Sequence, residues 1–182
     1  MLKALVLDYI TKGESVNEGR IISLALEQMG WDVELIKKPR KARFIDALFK
    51  AYDKNLIHIS AHSTDRNLSY SAADRGVITV DEIRDYFVQR LKYDEMRLDN
   101  VVILFSGCDS ASRNWVELFL KSLNAKYYIG AFGEPSIAEG ILFPLHIYFD
   151  LWGAQKRMGI KRAFDNAVRC VRTEAKWRLF PE

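Results

Sequence analysis

The chain has 182 residues, 49% of them hydrophobic and 28% charged, which suits one packed domain and excludes a disordered, collagen-like or linker-rich chain. Its 27 basic and 24 acidic residues give a net charge of +3, a mild excess that does not by itself point to nucleic acid. No apolar run approaches the ~18–20 residues needed to cross a bilayer, and two cysteines, Cys108 and Cys170, are too few for a disulfide framework or a cysteine-built zinc site and fit a reducing cytoplasm.

The opening stretch, MLKALVLDYI, reads as a first strand over Leu2–Ile10 rather than a signal peptide, because Asp8 interrupts it and no small-residue cleavage site follows. A turn with Gly13, Ser15 and Asn17 leads to a helical face of Ile21, Leu24, Ala25, Gln28 and Met29, closed by Gly30. Val33–Ile36 alternates as a strand. Pro39 and the basic cluster around it form a loop, and Phe44, Ala47, Leu48 and Ala51 mark a second helix. Asn55–Ala61 is too short for a helix and is expected as a strand ending at His62, followed by an exposed loop over Ser63–Gly76. Thr79 and Glu82 make a capping box for a helix through Ile83, Phe87 and Leu91. Asn100–Phe105 is the most continuously apolar strand. It is followed by a helix with Trp115, Leu118, Phe119 and Leu123 on one face, and then by a strand over Lys126–Phe132. Two helices are expected to finish the chain: Ile137–Trp152 with Pro144 inside it, and one from Ile160 burying Ala163, Phe164, Ala167, Val168 and Val171.

Alternating short apolar strands and helices predict a single α/β domain over 1–182, three layers deep, with a mostly parallel central sheet covered on both faces. Ligands of such sheets sit beyond the carboxyl ends of the strands, where His62 ends one central strand and Cys108 follows another. A helix expected to start around Ser110–Arg113, just after Cys108, would favour its thiolate, and Gly107 removes side-chain bulk beside it. His58 and His62 stand four apart on one strand face, ~13 Å from each other, too far to share a metal. His58 is therefore expected as a hydrogen-bonded core residue and His62 as the base. Cys170 is expected to pack, and His146 to sit in the core or at an interface.

The segments IHISAHS and VVILFSGCDSA resemble the His and Cys motifs of caspase-fold cysteine peptidases, particularly the CHAT branch. His58 and His62 match that family's two histidines and Cys108 its nucleophile. The likeness extends to Gly76–Ile83, to Tyr128–Phe132, and to the final segments Ile147–Gly153 and Ile160–Ala167, so it covers about the whole chain. Two positions depart from the pattern: Ser63 stands where Gly is usual and Gly107 where Ala is commoner.

The resemblance implies a caspase-like fold and a thiol protease in which Cys108 attacks a peptide carbonyl, His62 shuttles the proton, and the backbone amides of Ser63 and Cys108 hold the oxyanion. Asp8, closing the first strand, and Asp109, beside the nucleophile, are the candidates to receive a Lys or Arg side chain of the substrate. It implies no cofactor and no metal. The expected partners are a protein or peptide substrate and an activating or regulatory protein. A homo-oligomer is compatible with the sequence, whereas a membrane or a nucleic acid is not expected as a direct ligand. A catalytically silent scaffold of the same fold, binding a partner through its basic tail, is the alternative. A flavodoxin- or receiver-like domain fits poorly, because the loop after the first strand is not rich in phosphate-wrapping residues and no central phospho-acceptor Asp is evident.

Overall fold

The computed structural model describes residues 1–10, 17–69, 76–91, 98–153 and 158–181. In chain order the elements begin β1 (Lys3–Tyr9), α1 (Glu18–Gln28), β2 (Asp32–Lys37), α2 (Lys41–Phe49), a 3-10 turn (Ala51–Asp53) and β3 (Leu56–Ser63). There follow β4 (Asn67–Ser69), β5 (Ile78–Thr79), α3 (Val80–Leu91), β6 (Val102–Phe105) and the short α4 (Arg113–Val116), which runs on as a π-helical turn (Glu117–Ser122). The last are β7 (Tyr127–Phe132), α5 (Ile137–Trp152), α6 (Ile160–Cys170) and β8 (Lys176–Phe180). Six strands lie side by side in the order β2-β1-β3-β6-β7-β8, all parallel except β8, which runs antiparallel to β7.

Helices cover both faces, so the fold is three-layer α/β/α around a mostly parallel sheet. Successive side chains of a strand point to opposite faces. Thus Leu5, Leu7, Ile57, Ile59, Ile103 and Phe105 enter the core beneath α2, α3 and α4. Their neighbours Ala4, Val6, Leu56, Val102, Leu104 and Ile129 enter the one beneath α1, α5 and α6. This double coverage is why the central strands are apolar at nearly every position. From β1 the chain steps through α1 to β2 on one side, then returns to build β3, β6 and β7 on the other. The reversal falls between β1 and β3, and open sheets of this kind bind ligands beyond that point.

Capping explains where several helices start. Asn17 accepts the Arg20 amide at 2.8 Å at the head of α1. The expected Thr79–Glu82 box is present before α3, with Glu82 N donating to Thr79 Oγ1 at 3.1 Å and Thr79 N to Glu82 Oε2 at 2.9 Å. A second box, Ser136 with Glu139, opens α5. Gly30 follows α1 at φ +84°, a conformation that favours glycine.

Three local expectations are corrected, and the helix start after Cys108 falls within its expected range. In α1 the buried apolar side chains are Ile22 and Leu26, on the face that also buries Glu18, Gly19 and Ser23, whereas Ile21 and Leu24 are exposed, a shift of one residue around the helix. The loop expected from Ser63 contains β4, which pairs antiparallel with the end of β3 and with β5. Helix α4 begins at Arg113, at the far end of the expected Ser110–Arg113 start and five residues beyond Cys108. The chain does not finish on helices: α6 gives way to β8, whose Trp177 and Leu179 point into the core while Lys176 and Arg178 point out. Gly13 and Ser15 of the expected turn and residues 70–75 of the expected loop lie outside the described residues. Among the described residues no helix is long and apolar enough to cross a membrane.

Candidate functional site

Strands β3 and β6 carry the two motif residues to the same end of the sheet. Their register pairs His58 with Leu104 and Ile59 with Phe105. The Ser106 amide donates to Ile59 O at 3.0 Å, so odd-numbered β3 residues turn their backbone groups toward β6. Beyond the end of β1, β4 takes over the other edge of β3, pairing His62 with Ser69 and Ser63 with Leu68. Thr64 N donates to Asn67 O at 2.8 Å. Hydrogen-bonded and non-bonded pairs alternate in an antiparallel ladder. Ser63 therefore sits at a non-bonded pair, with its N–H directed away from β4 and toward the segment that holds Cys108.

That segment is a tight turn fixed on three sides. Ser63 Oγ donates to Cys108 O at 2.5 Å. Toward β7, Asp109 N donates to Gly133 O and Ala111 N to Ala131 O, both at 2.9 Å, while Gly133 N donates to Asp109 Oδ1 at 2.8 Å. Toward the β3–β4 turn, Ser112 Oγ donates to Asp65 O at 3.0 Å and Trp115 Nε1 to Thr64 O at 2.8 Å. Asp109 is held at φ +49°, a left-handed conformation uncommon outside glycine. Gly107 has a local purpose: a Cβ there would lie 2.7 Å from Ala61 O and also strike the Ser63 hydroxyl and the Phe105 ring. Its missing side chain lets the ends of β3 and β6 close on each other.

Cys108 and His62 are both half-buried. Burial pushes the Cys108 thiol above its ordinary range, and the carboxylates of Glu134 and Asp109 push it further the same way. The helix-terminus stabilisation expected from the sequence does not apply, because a turn rather than a helix follows the residue.

One row beneath lies a buried polar cluster. His58 Nε2 is 3.0 Å from Glu18 Oε1, and its Nδ1 is 2.9 Å from the Tyr148 hydroxyl. Ser106 Oγ also donates to Glu18 Oε1. Full burial holds the Tyr148 hydroxyl protonated. A consistent assignment has the Tyr148 O–H donating to His58 Nδ1, and His58 Nε2–H donating to the Glu18 carboxylate. Gly140 of α5 makes room for that carboxylate, since a Cβ would come within 2.6 Å of Glu18 Oε2.

Asp8 pairs in register with Ser60 across β1 and β3, at the point where the strand order reverses. Both residues are buried, and neither Asp8 Oδ2 nor Ser60 Oγ has a hydrogen-bond partner among the described residues. Desolvation raises the Asp8 carboxyl above the usual carboxylate range, and Glu18 adds to the rise. Gly19 packs on Asp8 so closely that a Cβ would meet Asp8 Cβ at 2.6 Å.

The structure thus brings Ser63 and Cys108 into direct contact at the ends of β3 and β6. It places Asp8 two residues back along the sheet from His62 and engages Asp109 with Gly133. Glu18, Ser60, Ser106 and Tyr148 were not singled out from the sequence. The signal available was His58 itself, a core imidazole that needs two partners, but they come from α1 and α5. His146 and Cys170 fall elsewhere, in a groove beside α5, where Cys170 is exposed rather than packed. Among the described residues no group of three or more His, Cys, Asp or Glu side chains is arranged to hold a metal ion.

Fold and site together define an α/β protein with a polar, partly buried centre at the carboxyl end of its sheet. No protein-family model matches the chain, and no curated protein matches it significantly.

Proposed function

We propose that the chain is a cysteine endopeptidase of caspase-like, CHAT-like fold, with Cys108 as nucleophile and His62 as proton shuttle. The observation that carries this reading is the junction of β3 and β6, where the Ser63 hydroxyl grips the Cys108 carbonyl and the Ser63 N–H faces the same segment. Two backbone donors beside a thiol are what a tetrahedral oxyanion needs, and one preorganised donor is worth ~3–4 kcal/mol of barrier.

In the proposed reaction, Cys108 Sγ bonds to the peptide carbonyl carbon as its proton passes to His62, and the amides of Ser63 and Cys108 hold the oxyanion. His62 then delivers the proton to the amine as the C–N bond breaks, leaving a thioester. Water adds to the thioester and gives a proton to His62. The C–S bond breaks, the acid leaves, and the thiol recovers its proton.

Asp8 and Asp109 are the candidates to receive a Lys or Arg side chain of the substrate: Asp8 is buried at the strand-order reversal, with one oxygen that has no partner among the described residues, and Asp109 is exposed beside Cys108 with Oδ1 engaged by Gly133. Two unbridged cysteines fit a reducing cytoplasm.

A second reading, a catalytically silent scaffold that binds a partner protein, is favoured by the raised thiol. Exposure of a proteome-derived peptide library to the wild type, Cys108→Ala and His62→Ala separates the two. The peptidase reading expects new termini after Lys or Arg with the wild type alone, and loss of that preference in Asp8→Asn or Asp109→Asn. Equal cleavage by wild type and Cys108→Ala, or none by either, would leave the scaffold.

A further inference from the structure

Seven residues at the carboxyl end of the edge strand β2 carry five positive charges, with no Asp or Glu among them. Lys37 ends β2, Lys38 and Arg40 lie in the turn beyond it, and Lys41 and Arg43 open α2. Lys37, Lys38, Arg40 and Arg43 are exposed, and none of them forms an ion pair among the described residues; Lys41 alone is paired, with Glu82. Arg40, Lys41 and Arg43 also crowd the positive end of the α2 dipole, whose first turn holds no acid, so the helix is opposed by them rather than stabilised.

The carboxylates of the surrounding elements do not answer this charge. Glu34 of β2 pairs with Lys54 at 2.9 Å, Asp46 of α2 with Lys50 at 2.7 Å, and Asp81 of α3 with Arg84 at 2.7 Å. Asp8 feels Lys37 and Lys38, but it is buried, and desolvation favours its protonated form. The four exposed cations therefore stand together without a counter-charge. Such departures from favourable local electrostatics gather at functional sites.

The remainder of the sheet end narrows the class of ligand. Asp109, beside Cys108, and Glu134, after β7, are exposed, and both act on the Cys108 thiol. The carboxyl end is thus basic at β2 and acidic at β6 and β7, and a nucleic acid laid across it would be repelled at the acidic side. The exposed aromatic side chains Tyr52, Phe132 and Phe149 lie outside the patch and give it no stacking platform. Lys176 and Arg178 point outward from β8, the opposite edge of the sheet and ~24 Å away at ~4.8 Å per strand, so the cations do not form one track. A short run of carboxylates matches the patch, and the planar forks of Arg40 and Arg43 suit bidentate pairing with them.

We propose that the Lys37–Arg43 patch binds an acidic segment of a protein chain. On the peptidase reading, on which this second step rests, that chain is the substrate. Strands β2 and β6 are three strand spacings apart, ~14 Å, which four or five extended residues span. The substrate then carries its run of Asp or Glu at that distance from the bond offered to Cys108.

A fluorescent peptide with four glutamates, a five-residue Gly/Ser spacer and an arginine, titrated by anisotropy into Cys108→Ala, tests this. It is expected to bind at least tenfold more tightly than its glutamine counterpart, and adding Arg40→Glu/Arg43→Glu is expected to remove the difference. Lys161→Glu/Arg162→Glu, which changes net charge equally at exposed positions of α6, should leave the difference intact. Equal binding of the two peptides, or an equal loss in the α6 variant, would overturn the proposal. So would patch-dependent binding of single-stranded RNA or phosphatidylserine vesicles in preference to the glutamate peptide, which would assign the cations to a nucleic acid or a membrane. Binding is read without cleavage. A wild type that holds the glutamate peptide through the patch and leaves it uncut counts against the peptidase reading alone, and the patch keeps its acidic ligand.

Discussion

Cys108 shows how neighbours govern a reactive group. Its thiol is raised first by desolvation and then by the carboxylates of Glu134 and Asp109, so at neutral pH the protonated form dominates. Native Cys108 should therefore be alkylated slowly at pH 7 and accelerate only in alkaline solution, while exposed Cys170 reacts faster and serves as an internal reference. Glu134→Gln should speed Cys108 at pH 8 and leave Cys170 unchanged, as mass spectrometry of the two peptides would show; an unchanged Cys108 rate would mean the carboxylate is not felt.

Asp8 gives the complementary case. Its folded carboxyl is raised above the ordinary value of 3.8, chiefly by burial, so the fold prefers the protonated form. That stabilising contribution is complete below pH 3.8 and is lost as pH rises through the raised folded value. Asp8→Asn, which cannot ionise, should melt higher than the wild type at pH 7, by a margin that shrinks toward acid. A margin independent of pH would refute the assignment.

At the scale of elements, the His58 cluster ties α1 and α5 to the central strands. Tyr148→Phe removes the hydroxyl from His58 Nδ1 and leaves a buried acceptor without its partner, at a cost of about 1–3 kcal/mol. Urea unfolding should show that loss with an unchanged slope, and a loss under about 0.5 kcal/mol would mean that solvent or another group replaces the hydroxyl.

Elements were readable where pattern and capping agree. The Thr79–Glu82 box and the α5 limits are visible in the sequence because the responsible contacts lie within four residues. The phase of α1 was not, since Ile21, Ile22, Leu24 and Leu26 offer two apolar faces and the choice depends on Glu18 reaching His58 in β3. Nor was the form of the turn between Cys108 and the helix at Arg113, where Ser110 Oγ donates to Phe105 O and accepts from the Ala131 amide of the neighbouring strand. The candidate site divides in the same way. Strand ends announced His62 and Cys108, whereas Glu18, Ser60, Ser106 and Tyr148 become partners only once the sheet is assembled.

On the scale of the whole molecule, the alternation of elements reveals the layers, but strand order depends on crossovers that no local pattern records. Strand β8 is the plainest instance. Its sequence, KWRLF, alternates charged and apolar residues over only five positions inside a basic segment that looks like a continuing helix. What makes it a strand is β7, whose free edge it pairs antiparallel from Phe132–Lys176 to Tyr128–Phe180. Without β8, that edge would present unpaired amides and carbonyls, a template for association. Trp177 secures it, stacking on Phe143 of α5 with ring centroids 4.4 Å apart, while Leu179 enters the same core. Trp177→Ala should therefore cost about 3–5 kcal/mol, a large part of the ~5–15 kcal/mol available to a typical domain. Because that loss falls on the sheet edge, the variant should also aggregate at temperatures where Tyr148→Phe remains monomeric in light scattering. If it is destabilised equally but stays monomeric, β8 remains paired without its tryptophan, and the backbone ladder rather than the α5 contact holds the edge.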